Sequence, residues 1–278
     1  MSDEPHLFGL PLTVTLLGSG SPTPSLTRCH PAAVVSWGER HVLVDAGDGV
    51  VAQLLRSGIG PGLIEHVVLT HLHWDHVLGY PAFVWGSWMG GRASLRTWGP
   101  HGSADMHRRL VTSFYDDQAE WAIDLGFRPD GWHDMVAADV EPGWSIELDG
   151  CLIEAGAVFH PPMHALGYRF TYGGRSVVLS GDTAACDELV TFSRDADLLV
   201  VDACAVDPPP ELAPRRRELI GRLRRFHASP QECVDMAAAA HVGAVVLTHH
   251  LPEATIDVDT TGYDGDVHIG DDLDRYVV

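Results

Sequence analysis

The chain has 278 residues, 45% of them apolar, which supports a sizeable core and admits one large domain or two small ones. Eighteen arginines, no lysine and 38 acidic residues leave a formal charge of −20, which opposes general affinity for nucleic acid or an anionic membrane. Five scattered cysteines without a CxxC pair, an acidic Met1–Pro5 and no apolar run of about 18 residues argue against a disulfide framework, a signal peptide and a transmembrane helix, so a cytoplasmic location is expected.

The first predicted strand is Thr13–Leu17, ended by Gly18-Ser19-Gly20 and a Pro/Ser/Thr loop. Strands Ala33–Trp37 and His41–Asp45 follow, joined by the hairpin-sized Gly38-Glu39-Arg40. Residues 48–58 read as a helix, with Val51, Leu54 and Leu55 at helical spacing and Gly58 as a stop. Strand Val67–Leu69 leads into a His-rich motif. Residues 103–125 read as a helix with Ser103 as N-cap, and 126–142 as a loop. Strands then return at Ser145–Leu148, Leu152–Val158, Gly167–Tyr172, Ser176–Ser180 and Leu198–Val201. Helices are expected over 211–226 and 230–241, a last strand over Ala244–Leu247, and an acidic surface tail from Pro252. The reading is one domain over 1–278, built from two similar α/β halves, with a helical, aromatic insertion over about 80–142 and the tail over about 252–278. Ligands should gather where strand ends of both halves meet.

The motif is Thr70-His71-Leu72-His73-Trp74-Asp75-His76, four potential metal ligands within six positions directly after an apolar run. Imidazole and carboxylate suit zinc and related divalent ions. His71 and His73 share an i, i+2 relation and can point one way, whereas Asp75 and His76 approach after the chain has turned. One tetrahedral ion cannot easily use all four, but two adjacent ions can. His160, Asp182 and His249 each follow a predicted strand and complete two sites.

These motifs, with Leu16–Pro22, Leu43–Asp48, Gly167-Tyr168-Arg169, Ser180–Thr183, His227-Ala228-Ser229 and Leu247-Thr248-His249, resemble the metallo-β-lactamase superfamily, in its ribonuclease Z, arylsulfatase and phosphodiesterase branch. The resemblance runs over about nine tenths of the chain and implies a four-layer αβ/βα sandwich, an α/β fold with a dinuclear zinc site at one edge; Mn2+ or Fe2+ would also suit the ligands. It implies that His71, His73 and His160 hold one ion, that Asp75, His76 and His249 hold the other, and that Asp182 bridges them. His164 and His250 are the alternatives to His160 and His249; the family spacing favours His160 and His249. Asp45 matches a carboxylate that orients ligands by hydrogen bonding. The absence of a Cys ligand near the bridging position disfavours β-lactam hydrolysis, and His73, where flavodiiron proteins carry Glu, disfavours iron redox chemistry.

Water bound by such ions ionises near neutral pH, and the ions stabilise negative charge in the transition state. Asp75 can accept a proton from that water. His227, in Phe226–Pro230, resembles a ribonuclease Z histidine that contacts the scissile group or protonates the leaving oxygen, and Asp202 occupies the place of the carboxylate that orients it. Ribonuclease Z carries a long basic arm between its third His and the bridging Asp, whereas His160 and Asp182 stand 22 positions apart, room for one hairpin. A small-molecule ester is therefore expected, a phosphodiester or aryl sulfate, with a lactone or other carboxylic ester as the alternative. tRNA processing and a non-catalytic role are disfavoured, and a homodimer is expected by analogy. Trp85, Trp88, Trp98, Phe114, Tyr115 and Trp121 could wall an aryl-binding cleft or form ordinary core. The arginines of residues 214–226 could clamp a phosphate or sulfate, although a solvated helical face is the simpler reading.

Overall fold

The computed structural model describes residues 11–278. Its strands are β1 (Thr13–Gly18), β2 (Ala32–Trp37), β3 (Arg40–Val44), β4 (His66–Val68), β5 (Leu95–Gly99), β6 (Met135–Asp139), β7 (Ser145–Leu148), β8 (Cys151–Ala157), β9 (Leu166–Tyr172), β10 (Arg175–Leu179), β11 (Leu198–Asp202), β12 (Ala244–Thr248), β13 (Asp266–Ile269) and β14 (Arg275–Val277). The α-helices are α1 (Val50–Ser57), α2 (Trp74–Val77), α3 (Tyr80–Met89), α4 (Ser103–His107), α5 (Ser113–Asp124), α6 (Asp130–His133), α7 (Asp187–Phe192), α8 (Pro214–Leu223) and α9 (Pro230–Ala239).

Two seven-stranded sheets form, ordered β14-β1-β2-β3-β4-β5-β6 and β13-β12-β11-β10-β9-β8-β7. Each is antiparallel on one side and parallel on the other, through β3-β4-β5-β6 and β10-β11-β12-β13. Period-two alternation explains the layering. Val42 and Val44 of β3, and Leu198 and Val200 of β11, face the gap between the sheets, where they meet Leu16, Trp37, Tyr168 and Phe170. Their neighbours turn outward: Leu43 packs against α1 and α3 through Leu54 and Phe83. Leu199 and Val201 pack against α7 and α9 through Leu189, Cys233 and Met236. Helix, sheet, sheet and helix thus stack in the four-layer αβ/βα sandwich. The parallel halves put the C-terminal ends of β3, β4, β10, β11 and β12 along one edge, where loops can carry a site.

Most expected elements appear within one to three residues of their predicted limits. The region read as a loop over 126–142 instead contains α6 and β6; β6 is an edge strand with Ala137 and Ala138 at its centre, so it lacks a clear alternating pattern. The long helix over 103–125 is interrupted by a π-helical turn at Arg108–Thr112. The helix expected over 211–226 begins at Pro214 and ends at Leu223, its start set by proline at the first helical position. α9 starts from a capping box in which Ser229 and Glu232 satisfy each other's backbone N–H groups. Trp85, Trp88 and Trp132 pack ring on ring with Phe127 and Tyr115 as the core beneath α3, and Trp98 packs against Trp144, so Trp85, Trp88 and Trp98 belong to the packed interior, whereas Phe114 and Trp121 are exposed. No helix among the described residues is long and apolar enough to cross a membrane.

The tail from Pro252 lies largely at the surface as expected, and it also carries two strands that its composition did not suggest. β13 pairs with β12 and β14 with β1, so the tail extends both sheets. Between them, Asp272 accepts hydrogen bonds from the backbone N–H and hydroxyl of Ser19 (2.9 and 2.8 Å), the Cys29 N–H (2.7 Å) and the Gln53 amide (2.9 Å). One carboxylate therefore ties the C-terminus to the β1–β2 loop and α1. Asp272→Ala should lower unfolding free energy by about 2–4 kcal/mol, because half-buried donors lose an ionised acceptor; denaturant titration would show this, and a loss under about 0.5 kcal/mol would contradict it.

A second buried network joins the insertion to the first sheet. The Tyr80 hydroxyl lies 2.8 Å from Thr97 Oγ1 and 2.8 Å from His107 Nδ1. Burial, and then the Arg92 guanidinium, push the His107 pKa down to about 4. The folded state therefore binds fewer protons than the unfolded chain, and His107 contributes stability above its ordinary pKa of 6.5 that is lost as pH falls toward about 4. The drop in Tm over that window should be smaller in His107→Gln than in the wild type; equal drops would remove His107 from the acid response.

Candidate metal centre

The chain leaves β4 at Val68 and runs through Leu69 and Thr70 into the ligand motif, with His73 at the start of α2 and Asp75 and His76 in its single turn. His71 Nε2 and His73 Nδ1 lie 3.0 Å apart, and His160 Nε2 is 3.2 Å from the same His73 atom. Asp182 Oδ2 faces this trio, 3.6 Å from His71 and 3.9 Å from His160. Its other oxygen, Oδ1, lies 3.1 Å from His76 Nε2 and 3.3 Å from His249 Nε2. Asp75 Oδ2 closes the second group, 3.3 Å from His249 and 3.7 Å from His76. All seven predicted ligands therefore converge in two adjacent groups, with one Asp182 oxygen turned to each. His164 lies outside, against His101, and His250 is directed to the Gly270 carbonyl at 3.2 Å.

The donor set fits divalent cations. The nitrogens of the first group are spaced near the roughly 3.3 Å edge of a tetrahedron with ligands at about 2.0–2.1 Å. His76 Nε2 and Asp182 Oδ1 face each other, yet neither is hydrogen-bonded, and Asp75 Oδ1 is likewise buried without a partner. Such atoms converge on a common point rather than on one another. Asp45, Asp75, Asp182 and Asp202 are all buried here, and among the described residues the basic side chains paired with them are imidazoles; buried carboxylates require compensating positive charge. Burial keeps His71, His73 and His160 below the usual histidine range, hence neutral with lone pairs free to ligate.

Supporting contacts fix the ligands. Asp45 accepts from the Thr70 N–H (2.7 Å) and hydroxyl (2.7 Å) and holds His76 Nδ1 at 2.8 Å. His160 Nδ1 pairs with the Phe226 carbonyl at 2.8 Å. Asp45 and His249 are both in the left-handed backbone region, with φ of 59° and 63°, a strained state for residues with a Cβ. Gly181, at φ 61°, passes so close to Thr70 that a Cβ would lie 2.5 Å from the threonine Cβ, which is what lets Asp182 reach the first sheet's loop.

His227 and Asp202 also meet. His227 Nδ1 donates to Asp202 Oδ2 at 2.6 Å, its ring stacks on His249 at 5.5 Å, and it packs against His160 at 5.0 Å. Burial opposes a charged His227, but the Asp202 carboxylate outweighs it and holds the imidazole above the usual histidine range. Sequence reasoning missed the second contact of Asp202, whose Oδ1 lies 3.4 Å from His249 Nδ1 and accepts the Cys204 N–H at 2.9 Å. It also missed Thr70 and the Phe226 carbonyl as supports, since a hydroxyl and a main-chain oxygen carry no sequence signal.

A family model described as the beta-lactamase superfamily domain matches residues 40–250. Two curated relatives, the "Ribonuclease Z" of Mycobacterium sp. strain KMS and that of Mycobacterium tuberculosis strain H37Rv, are each 31% identical, with 96% of this chain covered in both and 96% and 98% of the relatives. Among solved structures, the metallo-beta-lactamase fold protein YhfI from Bacillus subtilis aligns at TM-score 0.72 with 20% identity over 97% of this chain and all of that one. The short form of human tRNase Z aligns at 0.68 with 21% identity over 95% and 98%. A diphosphatase of the PhnP family aligns at 0.66 with 21% identity over 97% and 98%. The chain belongs to the β-lactamase superfamily, with ribonuclease Z among its relatives, and is a metal-dependent hydrolase acting on ester bonds.

Proposed function

We propose that this protein is a phosphodiesterase that works with two divalent cations, held by His71, His73 and His160 on one side and by Asp75, His76 and His249 on the other, with Asp182 shared. The observation that carries this reading is the split of the two Asp182 oxygens between two groups of converging imidazole and carboxylate donors. Zinc matches the nitrogen and oxygen donor set, and Mn2+ or Fe2+ is the alternative. When bound, the ions would supply Lewis acidity and a water ionised near neutral pH.

The remaining steps belong to the chain. Asp75 presents a buried Oδ1 with no partner, placed to take a proton from the attacking water. His227 keeps Nδ1 on Asp202 and is thereby left with Nε2 to hold a proton for the leaving oxygen. Asp202 fixes that tautomer, and through His249 it ties the proton donor to the second ligand group. Burial of the cluster excludes bulk water and strengthens each of these interactions.

A phosphodiester is favoured by this dyad, because an alkoxide leaving group needs a proton. Aryl sulfates and lactones are the competing substrates for the same centre. A small diester was expected because no arm lies between His160 and Asp182, and β9 and β10 indeed fill that interval as a hairpin. The mycobacterial relatives are of nearly this chain's length, however, so the missing arm does not set this protein apart from them. The pairing of β14 with β1 supports reading residues 1–278 as one domain. A cytoplasmic homodimer completes the proposal by analogy.

Metal analysis of protein prepared without chelators should give two ions per chain, and Asp182→Asn should lose both metal and turnover; one ion or none in the wild type would end the dinuclear reading. His227→Ala should retain both ions while kcat on a diester with an alkoxide leaving group, such as a dinucleoside phosphate, falls about 10²–10⁴-fold; unchanged turnover of that diester would take His227 out of the mechanism. Because Asp202 raises the His227 pKa, activity that needs protonated His227 declines as pH rises through that value. Asp202→Asn should therefore move the alkaline limb of the pH–rate profile to lower pH, and an unmoved limb would separate the two residues.

A further inference from the structure

Of the five cysteines, Cys204 alone stands among histidine and aspartate side chains whose ligand atoms converge. The chain leaves β11 at Asp202, and the Cys204 N–H returns to Asp202 Oδ1 at 2.9 Å. Two backbone bonds clamp this turn between the segments that carry the histidines. The Ala203 N–H binds the Thr248 carbonyl (3.0 Å), one residue before His249, and the Ala205 N–H binds the Ala228 carbonyl (3.0 Å), one residue after His227. The result is a buried group of Asp202, Cys204, His227 and His249 whose ligand atoms all lie within 4.8 Å of one another. Within it, His227 Nδ1 is 2.6 Å from Asp202 Oδ2, and His249 Nδ1 is 3.4 Å from Asp202 Oδ1. His249 Nδ1 is buried without a hydrogen-bond partner, whereas Nε2 of the same ring faces Asp75 and Asp182. One imidazole therefore borders two ligand groups, and its Nδ1 is left over by the dinuclear arrangement.

We propose that Asp202, Cys204, His227 and the Nδ1 of His249 form a third metal site, selective for a thiophilic dication such as Zn2+, that fills when metal is in excess and switches the enzyme off. Thiolate with imidazole and one carboxylate is a zinc-type donor set, and its sulfur separates it from the nitrogen and oxygen donors of the two neighbouring groups. A tetrahedron with bonds of about 2.0–2.3 Å has edges of roughly 3.3–3.8 Å, so side-chain shifts of about 1 Å close the set. Two anionic ligands offset the charge of the dication, as burial requires. Bonds form to Sγ, to an Asp202 oxygen and to the two ring nitrogens; the protons on Cys204 Sγ, His227 Nδ1 and His249 Nδ1 leave for solvent, and nothing is oxidised. The site fills last, because the ion must displace those protons and break the 2.6 Å His227–Asp202 hydrogen bond. Once it is filled, Asp202 no longer orients His227 as a proton donor. The inhibition rests on the role proposed for His227, whereas the site rests on the four side chains themselves.

The test reads metal as well as turnover. Protein loaded with two equivalents of Co2+ is titrated with further Co2+ and followed for a near-ultraviolet sulfur-to-cobalt charge-transfer band; a parallel Zn2+ series is read by metal analysis after equilibrium dialysis. The wild type should develop the band and take up one ion beyond the first two. Cys204→Ser and Cys204→Ala should show no band and hold one ion fewer, with Tm values of the metal-free proteins showing that they fold. On a dinucleoside phosphate, excess Zn2+ should slow the wild type about 10²-fold and leave both variants nearly unaffected, while turnover at two equivalents is the same in all three. No band in the wild type, or equal ion counts in wild type and variants, would overturn the proposal. The band without any diester turnover would leave the third site standing and remove the phosphodiesterase reading; turnover without the band would do the reverse.

Discussion

Among the described residues, four carboxylates are buried at the edge where the two sheets meet, with no arginine beside them. That constraint governs the site. Aspartate is seldom buried without a partner, because desolvation of the charged form is costly. Asp45 is satisfied by Thr70 and His76, and Asp202 by His227 and the Cys204 N–H. Asp75 and Asp182 retain oxygens that protein donors do not reach. His71, His73 and His160 are neutral and offer lone pairs rather than charge, whereas burial of His76 and His249 is outweighed by the neighbouring carboxylates, which hold both above the usual histidine range. A pair of divalent cations answers both deficits, which is why the fit of the donor set and the hydrolytic family point the same way.

The fold delivers these groups through a repeated device. In each sheet a parallel strand ends, the chain turns sharply, and a ligand is presented into the space beyond the strand ends. β4 leads to His71, β10 to Asp182 and β12 to His249. The turns need unusual backbone: Asp45 and His249 lie in the left-handed region, and Gly181 allows a close approach to Thr70. Strain of this kind persists only where surrounding contacts over-determine the conformation. Here Asp45 makes three side-chain bonds and His249 is held between Asp75, Asp182 and Asp202.

Net charge describes a whole chain, whereas a substrate meets a local field. The formal −20 argues against indiscriminate nucleic-acid binding, and it coexists with an arginine-rich helix that ends at Leu223, four residues before His227. Comparison with the mycobacterial relatives bears on the same question, since proteins of similar length carry the ribonuclease Z name without room for a large additional segment.

The amino-acid order, through motifs shared with the family, made the His and Asp side chains of the cluster and the layered α/β architecture legible. Thr70–His76 is compact enough that chemistry and spacing identify it, and strands such as β3 and β11 are apolar on both faces because they are covered on both. The sequence could not show that residues after Pro252 complete both sheets: β13 and β14 are short edge strands whose role depends on partners more than 20 and more than 250 positions away. β6 was hidden for the same reason, an Ala-rich edge without a buried face of its own. Nor could it choose between His160 and His164, or join Asp202 to both His227 and His249. Those are decided by where strand ends fall in space, because hydrogen bonds and ligand groups depend on distances of a few ångströms between segments that are remote along the chain.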